Sequence, residues 1–129
     1  MKRFAAAFLL LSLGSLPAFA SGTVECASAD EGARLSLTIG SLPVLAVVGA
    51  EIEAGGRSLG LNREGDEVMA VGQAFATEDE MRVDFTDPNV ERVLAELRLF
   101  SATEGRDMAM AGTLKIPGAG AWALICSGP

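Results

Sequence analysis

Apolar and polar residues alternate with period two along most of the chain after residue 21, the spacing of strands that bury one face. Leu35, Leu37 and Ile39 alternate with Ser36 and Thr38, and Ala50, Ile52 and Ala54 alternate with Glu51 and Glu53. Gly55-Gly56 reads as a hairpin turn, because two glycines supply the positive φ that tight primed turns demand. Arg57 to Leu61 is then the returning strand, and Asn62 to Glu67 a polar loop. Val68 to Phe75 follows, with Gly72 as a candidate bulge. Glu78-Asp79-Glu80 marks a turn, after which Met81, Val83 and Phe85 alternate with Arg82, Asp84 and Thr86. Met108, Met110, Leu114 and Ile116 share one face of a later strand, entered through a hairpin tip at Thr103 to Arg106. Pro117 to Gly120 turns the chain again, and Ala121 to Cys126 forms the last strand.

Two stretches depart from this pattern. At Asp87-Pro88-Asn89 the chain must turn, since Pro88 has no N–H to give a ladder and Asp87 and Asn89 can close Asx turns. Beyond it Val90, Val93, Leu94, Leu97 and Phe100 fall at helical spacing, while Ala95, Leu97 and Leu99 alternate with their neighbours as in a strand. The favoured reading is a short helical turn near Asn89 to Val93 followed by a strand from about Leu94 to Ala102, with a full helix as the alternative. The second departure is Ser41 to Ala50, apolar without interruption from Leu42 to Val48. It predicts a strand buried on both faces or running beneath a loop; the competing reading is an exposed apolar patch or edge that recruits a partner.

Eight or nine short strands at regular spacing predict an all-β domain, a small antiparallel barrel or sandwich. Small residues at expected inward positions (Ala50, Ala70, Ala74, Gly112) suit a tightly curved sheet and favour the barrel.

The start of the chain has a different character. Lys2 and Arg3 precede an apolar run too short to span a bilayer, which ends in Ala18-Phe19-Ala20 before Ser21. That is the layout of a secretory signal peptide. It divides the chain into a signal at 1–20 and a single exported domain at 21–129, with periplasmic or secreted localisation and no transmembrane segment in the mature part. Removing 20 of 129 residues leaves 109, and the loss of Lys2 and Arg3 leaves 8 basic against 17 acidic residues, a net charge of −9. Such a domain repels nucleic acid and anionic surfaces, and the expected partner is a basic or envelope protein.

Export places Cys26 and Cys126 in an oxidising compartment. By alternation Cys26 shares a face with Val24, and Cys126 shares one with Leu124 and Trp122, so a disulfide joining the N- and C-terminal strands is predicted. A redox-active pair would want the close spacing that these two cysteines lack.

The domain has no histidine and no tyrosine. Ser-His and Cys-His nucleophiles, imidazole acid-base steps and the usual zinc sites are thereby excluded. No phosphate-cradling glycine loop is present, and no cofactor or metal is predicted. Carboxylate chemistry would have to draw on Asp84, Asp87, Glu51, Glu53, Glu91 or Glu96, but such residues more often make turns and solvated faces, so no enzyme is expected. Asp84, Asp87 and Asn89 lack the register of a calcium loop and read as a structural corner. Candidate partner-binding residues are the acidic clusters Glu64, Asp66, Glu67 and Glu78, Asp79, Glu80. Trp122 reads as a core plug near the disulfide rather than a sugar platform.

With cysteines near both ends of a small exported β-domain, the layout is loosely similar to that of the periplasmic inhibitors of lysozyme. The likeness is one of architecture only: the SGxxY-type loop of one such group has no counterpart, and Ser21-Gly22 is not that motif. The expectation is an exported binding or interaction module of the cell envelope, the alternative an inhibitor of a cationic hydrolase such as lysozyme.

Overall fold

The computed structural model describes residues 22–61 and 67–129. The proposed signal segment, Glu64 and Asp66 lie outside the described residues. Nine strands follow one another: β1 (Gly22–Ala27), β2 (Ala33–Ile39), β3 (Val47–Ala54), β4 (Arg57–Leu61), β5 (Glu67–Ala76), β6 (Glu80–Thr86), β7 (Val93–Glu104), β8 (Asp107–Ile116) and β9 (Gly120–Ser127). They close into a barrel in sequence order, β9 returning to β1. All neighbours are antiparallel except β4 and β5, which run parallel from Leu59↔Glu67 to Leu61↔Met69. Alternation of side chains is blind to strand direction, so the sequence pattern could not distinguish this pair from the rest.

Inward residues from all the strands fill the interior. Phe85, Leu35, Leu37, Ile52, Met69 and Leu97 are among the fully buried side chains. Phe85 stands opposite Val71 on β5 and Ala95 on β7, so a small residue makes room for the ring beside it. Trp122 is half-buried and packs against the core. A Cβ at Gly55 would lie 3.1 Å from the edge of its ring. Gly55 therefore meets two demands, the space for the indole and, with Gly56, the positive φ of the turn (59° and 74°).

Cys26 and Cys126 are directly opposed and form the predicted disulfide, their Cα atoms 4.1 Å apart. Among the described residues the β1–β9 seam is short, consisting of Glu25↔Ser127, Cys26↔Cys126 and Ala27↔Ile125, whereas β7 and β8 pair all the way from Glu96↔Lys115 to Glu104↔Asp107. The disulfide thus fastens a seam that has little backbone pairing of its own.

Three local expectations are corrected. Residues 87–92 do not form a helical turn: Val90 N–H donates to the Asp87 carbonyl at 2.9 Å, closing a four-residue turn, and Val90 then adopts φ 59°, which stops any helical continuation. The full-helix alternative is also replaced, by β7. The run from Leu42 to Val48 is not a buried strand. A hydrogen bond from Gly40 N–H to the Ala46 carbonyl (2.8 Å) closes a loop, β3 begins only at Val47, and Leu42 and Val44 are 64% and 72% exposed. Pro43, which cannot donate to a ladder, sits between them. Finally, Ala70 does not point inward. The register breaks between Val71 and Gln73, so Gly72 is the bulge; before it the core residues are Met69 and Val71, after it Ala74.

At Gly112 the backbones of β7 and β8 approach closely. A Cβ there would fall 1.8 Å from the Arg98 carbonyl oxygen. Gly112→Ala should therefore force the strands apart and destabilise the barrel by about 1 to 3 kcal/mol or more. Urea unfolding measures this, and a wild-type midpoint would contradict the close approach.

Candidate functional site

The outer wall formed by β2, β3 and β4 carries a continuous depression. Outward positions pair laterally as Arg34↔Glu53, Ser36↔Glu51 and Thr38↔Gly49, and Glu53 pairs onward with Ser58 on β4. The main hollow, about 720 Å³, lies over these residues and reaches across β1 to Ile125 on β9. A hollow of about 340 Å³ shares Arg34, Glu53 and Ser58 with it and continues towards Gly32 and Gly55. Another of about 220 Å³ shares Ser36 and Glu51 and continues to Thr38, Gly49 and Leu61. Together they make one furrow along β2 and β3, roughly 20 Å long at about 3.4 Å per residue. Gly49, with no side chain, keeps its floor low at one end.

Among the described residues the furrow is lined by more acidic than basic groups. Glu25, Glu31, Glu51 and Glu53 line it against Arg34 and Arg57. Arg34 is paired with Glu31 at 2.8 Å. Arg57 is engaged from outside the furrow by Glu67, its Nε donating at 3.0 Å. Ser36 Oγ donates to Glu25 Oε1 at 2.8 Å and holds that carboxylate over the floor. At the upper end, buried Ser28 shapes the β1–β2 turn: its hydroxyl donates to Asp30 (2.7 Å) and accepts the Ala33 N–H (2.9 Å). The Ser28 hydroxyl first, then the Gly32 amide, hold the Asp30 carboxyl below its ordinary range.

Of the acidic residues singled out from sequence, those among the described residues fall at opposite ends of β5. Glu67 is in the ion pair with Arg57 at the start of β5. Glu78 and Asp79 occupy the β5–β6 turn, where Asp79 accepts from Thr77 Oγ1 at 3.0 Å, and Glu80 opens β6 and pairs with Arg82. The chain matches no known protein family, no curated protein and no solved structure. The furrow must be judged on its own chemistry. Its residues Glu25, Glu51 and Glu53 are ordinary in sequence, as polar positions of two alternating strands, β1 and β3, and only the register and curvature of the sheet collect them.

Asp84 and Asp87 have structural work. Arg98 Nη1 donates to Asp84 at 2.7 Å. Asp87 Oδ1 accepts the amides of Glu91 (2.8 Å) and Arg92 (2.7 Å), so it closes the corner between β6 and β7. Among the described residues no group of three or more His, Cys, Asp or Glu is arranged to hold a metal ion. Also among them, no helix is long and apolar enough to cross a membrane.

The Arg92 amide, more than the Glu91 amide, lowers the Asp87 carboxyl below its ordinary value. A depressed folded-state pKa stabilises the corner above the unfolded aspartate value of about 3.9, and that contribution is lost as pH falls through the lower folded value. The protection factors of the Glu91 and Arg92 amides, taken against the intrinsic exchange rate at each pH, should therefore be retained at pH 5 and fall only below about pH 4. Loss of protection already between about pH 7 and 5 would show that the carboxylate does not hold them.

Proposed function

We propose that the protein is an exported binding module whose acidic furrow receives a cationic segment of a partner protein. The observation that carries this reading is the furrow itself, a groove in which carboxylates outnumber basic groups among the described residues, on a barrel whose interior is occupied by side chains. Potential from several like charges lining one concavity attracts a lysine- or arginine-rich chain and speeds its encounter. The signal-like start of the chain and the disulfide fit an oxidising compartment outside the cytoplasm.

The test is charge reversal in the furrow. Glu53→Lys should weaken binding of a lysine-rich peptide by about tenfold or more, while the same change at Glu104, at the far tip of the β7–β8 hairpin, should leave it nearly unchanged. Equal effects at both positions would mean that net charge alone collects the peptide. A cationic hydrolase is one partner of this chemistry, and an assay of lysozyme activity with the protein added at moderate salt tests that alternative.

A further inference from the structure

At its lower end the furrow reaches Thr38 on β2 and Gly49 on β3. Beyond Thr38 and Gly49 the wall passes into the loop between β2 and β3, the apolar stretch from Leu42 to Val48. The ladder shifts register there: Thr38 pairs with Gly49 but Ile39 with Val47, which leaves Val48 as the extra residue of a bulge. A bulge re-aims the side chain it inserts. Val47 packs against the core, while Val48 turns outward and is 62% exposed. Val48 lies against Gly40, where a Cβ would be 3.3 Å from its Cγ1, so it sits at the foot of the loop that presents Leu42 and Val44. Three large aliphatic side chains are thus exposed on the loop and bulge that follow, along the chain, the last residues lining the furrow.

Resting on the proposed reading of the furrow, we infer that the occupant is an amphiphilic polypeptide segment: a cationic stretch over Glu51 and Glu53, followed by aliphatic residues that cover Leu42, Val44 and Val48. Charge complementarity selects the first half, and the continuity of wall, bulge and loop places the second half next to it. Along β3, Glu51 is three residues from Val48 and Glu53 five, so the cation and the apolar contact stand roughly 10 to 17 Å apart, about three to five residues of an extended chain. An anionic lipid surface would bring the aliphatic loop a partner but be repelled by the carboxylates beside it, which favours a peptide.

Probe peptides of two kinds, each of about ten residues and long enough to cover the furrow and reach the loop, separate the possibilities. One is a lysine-serine repeat; the other replaces the lysines of one half by leucine, made with the leucines at either end. In one of the two orders, the chimera should bind about tenfold tighter or more per well-buried aliphatic contact. The double variant Leu42→Ser, Val44→Ser should lose this gain and keep the affinity for the lysine-serine peptide. Both side chains are exposed, so an unchanged melting curve will confirm that the variant is folded. If the lysine-serine peptide binds and neither chimera binds tighter, the amphiphilic occupant is wrong and the acidic furrow stands. If neither kind of peptide binds, both readings fall. Sedimentation with zwitterionic vesicles that is lost in the double variant would make the loop a membrane contact and overturn the inference.

Discussion

Replacing Cys26 and Cys126 together by alanine is expected to lower the free energy of unfolding by about 4 to 5 kcal/mol. The chain-entropy model predicts this for a bond closing a loop of about 100 residues; here the sequence separation is 100. Against a total of about 5 to 15 kcal/mol for a domain of this size, the loss removes a large part of the stability. The location of the bond makes the effect specific as well as large. Among the described residues only three pairs join β1 to β9, with the disulfide at the middle one. Without it the barrel should open first at this seam, so amide protection in β1 should fall before protection in β7 and β8. Urea denaturation gives the first quantity and hydrogen exchange the second. A double variant within about 1 kcal/mol of wild type would show that the seam holds without its bond.

Phe85→Ala should cost about 3 to 5 kcal/mol, the range for emptying a buried aromatic site. Phe85 is 0% exposed, the largest of the fully buried side chains, and sits on β6 between Val71 and Ala95. The closed ladder restrains both flanking strands, so they cannot collapse far into the space left by the ring, and the cost should fall in the upper part of that range. Phe100→Ala is the control: it is a phenylalanine of the adjacent strand but 57% exposed. Its substitution should change stability by about 0.5 kcal/mol or less. Equal losses at the two positions, measured by chemical denaturation, would contradict the assigned faces of β6 and β7.

The strands were legible because their chemistry is local. Leu35 to Ile39, Ala50 to Ala54 and Met81 to Phe85 alternate cleanly, and Gly55-Gly56 names its own turn. The disulfide was legible from the phase of Cys26 and Cys126 within their strands. Three features depend on forces that alternation does not carry. The parallel pairing of β4 and β5 is a matter of chain direction. The Gly72 bulge inverts the phase of β5, and misplaced Ala70. The helical spacing after Pro88 was overridden by the long-range ladder of β7 with β6 and β8. The candidate site was the least legible part. Sequence proximity drew attention to Glu78, Asp79 and Glu80, adjacent along the chain, whereas Glu25, Glu51 and Glu53 become neighbours only when β1, β2 and β3 pair.

A titration of the isotope-labelled protein with the lysine-serine peptide, followed by amide chemical shifts, tests the acidic furrow most directly. The shifts should concentrate on Arg34, Ser36, Glu51 and Glu53, and fade as salt rises and screens the carboxylates. Shifts centred on the Glu78 to Glu80 turn, or scattered evenly over the barrel, would contradict the assignment of the furrow as the binding site.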